Sequence, residues 1–445
     1  MLTIILVKSP KKGKRTKKQD TAGHEERPWK IAYVILCLAL ITLTAYQFVA
    51  IREDPTAGWD YYVFAGAIQS FAHGQNPYIL ANVNQYVGEN TGGNLPFTYP
   101  PHTLYFFWLL DLFFIFHSIV IYYILLVVLL IISGYLLLRI DQKPHYLFLI
   151  TLLVTGFMGT AWNFGTGNKD IFFLFLFAII FMLLLKEKYW HSSIIMGLAA
   201  GISLITAPFV ALYLAVRRPP LERLTYIFLS GGVVAALFVV SYCVNPTYLV
   251  SYIGTLERNS TSPMYDVGGF NTPTPFLMFW DLLKGVNLEG VLPVAIVSCG
   301  YIGLILYATW NYCGKNRENT LQIYSVVMLA IFMILPRIKP YDFILLVIPL
   351  YFLFKDYSYR IKSLVFVVIS LPLYFWYCNF VVYTTGFPFL LGVYTQTYSL
   401  ILIFIILILY NHLKPAASDE EKGGKKPGQR KDISRRTPAS HESNH

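Results

Sequence analysis

The residues best placed to do chemistry are few. Asp60 lies in Gly58-Trp59-Asp60-Tyr61-Tyr62, and Arg337 and Lys339 lie in Pro336-Arg337-Ile338-Lys339-Pro340-Tyr341-Asp342. A carboxylate at a water boundary can accept the proton of a hydroxyl as that hydroxyl attacks, which is the work of a general base. An arginine can grip phosphate oxygens in bidentate fashion, and a lysine adds a compact charge. Each also has a plainer reading. Asp60 precedes a helical pattern and would serve as its N-cap. Arg337 and Lys339 could reach lipid headgroups or pair with Asp342. Asp54, the nearest other carboxylate, precedes Pro55 and fits the end of the first span.

The elements that must position these residues are membrane helices. A chain of 445 residues that is 56% hydrophobic, 17% aromatic and only 13% charged cannot be one soluble domain. Apolar stretches near the ~20 residues that cross a bilayer recur at 31–51, 118–138, 146–162, 171–185, 224–244, 290–310, 321–335, 362–383 and 388–410. Lipid leaves backbone groups no outside partner, so these stretches must be helices. With a short pair at 192–216, broken near Pro208, the sequence predicts about 12 membrane segments. The first is read as a retained helix, since its basic lead is too long for a signal peptide and no small-residue cleavage site follows.

Charge gives the orientation. Residues 1–30 hold nine Lys/Arg against three Asp/Glu, and 414–445 hold eight against five, so both termini are expected in the cytoplasm. The outward segments are then 52–101, 163–170, 245–276, 336–342 and 384–387. A basic pair at 336–342 runs against that trend and calls for a functional reason. The domains expected are a basic disordered tail at 1–29, one membrane domain at 30–411 with its long loop at 52–101, and a second basic disordered tail at 412–445.

The long first loop differs from an ordinary connection, and long ordered loops tend to carry function. Within it Tyr61, Phe64, Ala65, Ile68, Phe71 and Ala72 fall at amphipathic-helix spacing, with Gly74 placed to end the helix, which would lie on the membrane surface. Other chemistries lack their motifs. Cys37, Cys243, Cys299, Cys313 and Cys378 form no C-x-x-C, and the histidines show no metal spacing. Nucleotide-binding glycine patterns are absent, so no cofactor and no metal is expected. No repeat relates the two halves, which weighs against a secondary transporter. The basic tails read as topology signals rather than as nucleic-acid binders.

Three stretches carry a resemblance: Trp59-Asp60-Tyr61-Tyr62-Val63-Phe64, Gly74-Gln75-Asn76-Pro77-Tyr78 and Phe97-Thr98-Tyr99-Pro100-Pro101. In order and spacing the chain resembles glycosyltransferase family 87, polytopic enzymes of the GT-C fold that use polyprenyl-phosphate mannose. The resemblance implies an all-α, GT-C-like membrane protein. It would transfer a hexose, with mannose the expected sugar, from a polyprenyl-phosphate donor to a hydroxyl of a glycan or glycolipid. Transfer would take place at the extracytoplasmic face with inversion, and Asp60 would be the base. Gly165-Thr166-Gly167-Asn168 stands where many members carry Gly-Gln-x-Asn, with Thr166 in place of the glutamine. Thr206-Ala207-Pro208 lacks the lysine that relatives often place ahead of the proline, so another cation must meet the donor. Arg337 and Lys339 are the candidates. Tyr61, Asn76, Tyr78, Tyr99, Asn168 and Asp342 are the candidate pocket residues. Two alternatives remain: a lipid-linked-sugar flippase or transporter without catalysis, and a GT-C enzyme for another sugar. Asp170 and Asp281 are expected as caps or charge partners, and 245–276 as a connector that could shape the acceptor site.

Overall fold

The computed structural model describes residues 17–52, 57–87, 96–141, 143–260, 272–288, 290–375 and 394–413, which hold helices and connections and no β-strand. Among them, six helices are long and apolar enough to cross a bilayer: Glu26–Ala50, Ile119–Ile140, Tyr146–Thr166, Pro220–Val244, Val291–Lys315 and Thr395–His412. Four shorter apolar helices accompany these, at Asp170–Leu185, Leu204–Ala215, Thr320–Ile334 and Asp342–Phe354. The chain is a polytopic helical membrane protein, and the described residues do not reach the count of twelve.

The helices form two shells with different solvents. Outer ones present large apolar side chains outward, with Phe228 73% exposed and Trp310 80% exposed. Such a surface is costly in water and ordinary in lipid. The inner shell is Asp170–Leu185, Thr320–Ile334 and Asp342–Phe354; most side chains of the first two are buried and the rest half-buried, and those of the third are all buried. The last of these was not expected. Its apolar run is too short to span a bilayer, and every described side chain from Asp342 to Phe354 is buried by protein rather than lipid.

The elements that build the site come from the first half of the chain. They are α1 (Lys17–Arg52), α2 (Trp59–Ala72), α3 (Leu80–Val87), α4 (Pro101–Asp111), α5 (Ile119–Ile140), α6 (Tyr146–Thr155), α7 (Gly159–Thr166), α8 (Asp170–Leu185) and α9 (Tyr189–Ile202). Helix α2 starts and ends close to where its sequence pattern places it. Gly74, at φ 71°, closes it by donating its N–H to the Phe71 carbonyl. Its setting differs from expectation. Residues on every side of it are buried, from Tyr61 through Ser70, because α3 and α4 pack over it. It is an internal helix and not one lying with a face on the bilayer. Pro101, the second of the paired prolines, is the first residue of α4, a position where proline is favoured. At 192–216 the chain forms α9 and then a 3-10 helix, Leu204–Ala215, packed against it. The joint is the extended residue Ser203, while Pro208 sits inside the 3-10 helix.

Candidate functional site

Two glycines bring α2 against the α7–α8 turn. Gly58, at φ 82°, precedes α2 and donates its N–H to the Gly165 carbonyl at 2.7 Å. Gly167, at φ 70°, ends α7, and a Cβ there would lie 2.6 Å from Tyr61 Cβ. Only glycine accepts both that backbone conformation and that approach. The contact sets Asn168 beside Asp60, and Asn168 Nδ2 donates to Asp60 Oδ2 at 2.8 Å.

Asp60 is therefore not the N-cap. That position belongs to Gly58, which has no side chain to cap with, and Asp60 lies in the first turn with its carboxylate turned to Asn168. The helix N-terminus still favours its negative charge.

Asp60 opens onto a cavity of about 790 Å³, whose polar wall also carries Tyr99, Lys169, Arg337, Lys339 and Asp342. Its apolar wall includes Ile202, Leu204, Leu256 and Leu335. Residues far apart in sequence are held there by a small set of polar ties. Asn163 donates to the Tyr341 carbonyl at 2.9 Å and accepts the Asp170 N–H at 3.0 Å, joining α7, α8 and the loop that carries the basic pair. Asp342 Oδ2 accepts the Lys339 backbone N–H at 2.6 Å, and its carboxyl lies beside Asp170. The pairing expected of Asp342 thus involves the lysine backbone. The Lys339 ammonium reaches Thr272 Oγ1 at 3.5 Å. Arg337 is exposed in the cavity mouth, with no salt-bridge partner among the described residues.

The other candidates divide. Tyr99 and Asp342 line the cavity, and Asn168 holds Asp60 from behind. Tyr61, Asn76 and Tyr78 stand outside the wall. Tyr61 donates to the Phe116 carbonyl at 3.0 Å, and Asn76 donates to Ser251 at 2.9 Å. Tyr78 donates to the Tyr99 carbonyl at 2.7 Å, so it braces a wall residue. Thr166, in the glutamine position, donates to the Trp162 carbonyl at 2.9 Å and still lies close enough to favour the Asp60 charge. Asp54 and residues 261–271 of the expected connector lie outside the described residues.

Lys169 was missed. It is 5% exposed and lines the cavity. Its ammonium donates to the Tyr99 hydroxyl at 3.0 Å and to Asp170 Oδ1 at 3.4 Å, and lies 4.1 Å from the Tyr99 ring centre. Asp170 is a charge partner, as expected. A signal for Lys169 existed, because it too is a basic residue on an expected outward segment.

The electrostatics follow from burial. Desolvation raises the Asp60 pKa above the ordinary aspartate value, and Asn168, Lys169 and Thr166 oppose the rise. Burial pushes the Tyr99 phenol up to about 12, against Lys169. Burial also pulls Lys169 down, yet Tyr99, Asp170 and Asp342 outweigh it and the lysine ends above its usual value. Tyr99 is thus a neutral phenol and Lys169 a fixed cation at neutral pH.

Comparison with known proteins rests on one finding. No curated protein and no solved structure matches the chain. The sequence profile described as glycosyltransferase family 87 matches residues 97–336, more than half of the chain. The match covers Tyr99, Asn168 and Lys169, while Asp60, Arg337 and Lys339 fall outside it. With that match over more than half of its length, this polytopic helical membrane protein belongs to glycosyltransferase family 87.

Proposed function

We propose that this membrane glycosyltransferase moves a hexose, mannose by the family resemblance, from a polyprenyl-phosphate donor to a hydroxyl of a glycan or glycolipid. The observation that carries the reading is one cavity lined by an ionisable carboxylate, Asp60, and by two cations on a separate loop, Arg337 and Lys339. Asn168 occupies Asp60 Oδ2, which leaves Oδ1 to receive a proton. In a single displacement the acceptor hydroxyl gives its proton to Asp60 as its oxygen bonds to the anomeric carbon. The bond from that carbon to the phosphate oxygen breaks with inversion, and polyprenyl phosphate leaves with its charge met by Arg337 and Lys339. The apolar wall beside these cations suits the lipid part of such a donor.

The test is transfer from polyprenyl-phosphate mannose by the purified protein in lipid. Wild type should transfer and bind donor, and Asp60→Asn should bind donor while transfer falls by about 10²–10⁴-fold, the range for a lost general base. Wild-type protein that binds such donors but never transfers would support a flippase instead. The reading also places the cavity outside the cytoplasm with both termini inside. Gln85→Cys should then react with an impermeant thiol reagent from the outer side, and Ser434→Cys should not. Labelling of the C-terminal cysteine from outside would reverse the orientation.

A further inference from the structure

The floor of the cavity holds a charge arrangement that a base and two phosphate-binding cations do not require. Asp60 is faced by Lys169 and Asp170 from the α7–α8 turn, by Tyr99 from the loop before α4, by Tyr122 from α5 and by Tyr341 from the loop after Ile334. Within that set Lys169 is the cation and Asp170 the second carboxylate, and Asp342, from the loop after Ile334, lines the same cavity with its carboxyl beside Asp170. Lys169 and Asp170 both sit at the turn that carries Asn168, which bonds Asp60, whereas Arg337 and Lys339 come from a separate loop of the same cavity.

Lys169 is also not consumed by its carboxylate. Its contact with Asp170 is 3.4 Å, longer than the ~2.7–2.9 Å of a strong charge-assisted bond. Tyr99 and Asp170 fix where the ammonium sits, and the next residue back, Asn168, grips the base. A buried lysine costs several kcal/mol in desolvation unless its charge is used.

We propose that Lys169 is the positioning residue of the base: fixed by Tyr99 and Asp170 on the turn that carries Asn168, its ammonium keeps the Asp60 carboxylate ionised and aimed into the cavity, and Asp170 limits that effect. The proposal rests on the reading of Asp60 as general base. Burial alone favours the neutral acid, which cannot take up a proton. A cation beside it restores the charged form without spending the donor-binding pair.

The sign of the pH effect follows. Transfer needs ionised Asp60, so the rate falls on the acid side as the carboxylate protonates. Removing a cation raises the pKa and moves this limb to higher pH; removing an anion moves it lower. The experiment is the pH profile of transfer by the full chain in lipid with polyprenyl-phosphate mannose. In parallel, the Asp60 carboxylate is titrated by infrared difference spectroscopy against Asp60→Asn, which needs no substrate. Lys169→Met should move both limbs up by about 1–3 pH units, the effect of one nearby charge, with the rate recovering at high pH. Asp170→Asn should move them down, and Lys169→Arg should leave them in place. A neighbour needed only for folding would lower activity or yield without opposite shifts. An unmoved carboxylate titration in Lys169→Met overturns the proposal, as does a shift of the same sign in Asp170→Asn; the latter stands even if Lys169→Met does not fold. Asp60→Asn protein that keeps full transfer and its acid limb would sink the base reading itself, a separate failure.

Discussion

Two carboxylates in this molecule, Asp141 buried and Asp60 half-buried, each sit near a lysine, and they differ in how fully they are paired. Asp141, at the turn between α5 and α6, accepts the Tyr351 hydroxyl at 2.6 Å on one oxygen, and the Lys355 ammonium and the Lys143 N–H on the other. Both of its oxygens are used. Around Asp60, by contrast, Asn168 Oδ1 is buried with no hydrogen-bond partner among the described residues, the neighbouring Lys169–Asp170 contact is long at 3.4 Å, and a cavity of about 790 Å³ adjoins. Most buried polar atoms are paired, and here one without a partner lies beside the cavity. The same residue types make a structural tie in one place and the proposed working site in the other, and they differ in how fully they are paired.

Substitutions can break this contrast. The largest expected effect is on chemistry, where Asp60→Asn loses about 10²–10⁴-fold in transfer with little change in thermal stability. Asp141→Asn should do the reverse. Removing one partner of a buried pair costs about 3–5 kcal/mol, seen as a lower unfolding temperature, while turnover per folded molecule persists. A drop in turnover per folded molecule with stability unchanged would make Asp141 part of the chemistry. Gly167→Ala joins the two properties, since backbone strain and the clash with Tyr61 separate Asn168 from Asp60. A loss of about 1–3 kcal/mol in stability and a matching fall in turnover are expected. Full turnover would show that the α2 contact does not hold the base. Arg337→Ala or Lys339→Ala should weaken donor use by about 1–3 kcal/mol, read as donor kcat/KM, and leave stability alone. Normal donor saturation would reduce the pair to headgroup contacts. The smallest signature is the acid limb of wild type, which should lie above the ordinary aspartate range because burial raises Asp60. A limb at or below that range would mean that the carboxylate is better solvated than its surroundings imply.

Much of this was legible in the sequence, and what was missed has physical causes. Apolar runs revealed the long helices because lipid imposes their length. The spacing of Tyr61, Phe64, Ile68 and Phe71 revealed α2 for a similar reason, but spacing cannot say what covers a helix. Whether a face meets lipid, as on Pro220–Val244, or α3 and α4, as on α2, is settled by packing. The stretch Asp342–Phe354 escaped notice because protein, not bilayer thickness, sets its length. In the site, Asp60 stood out as an acidic residue at the head of a helical pattern. Lys169 did not, because its partner Tyr99 is 70 residues away and meets it only once α4 and α8 are in place. Tyr61, Asn76 and Tyr78 share motifs with wall residues and support the wall from behind, a distinction that proximity in sequence does not contain.

In the proposed function the cavity holds a base on one element and phosphate-binding cations on another, and the position of a bound polyprenyl phosphate tests that division most directly. A structure of the full chain with this ligand should show the phosphate within hydrogen-bond reach of the Arg337 guanidinium or the Lys339 ammonium, its prenyl chain along the Ile202, Leu204 and Leu256 wall, and Asp60 facing the space where the sugar would stand. A phosphate bound outside this cavity, or one seated where Asp60 cannot reach the far side of the anomeric carbon, would contradict it.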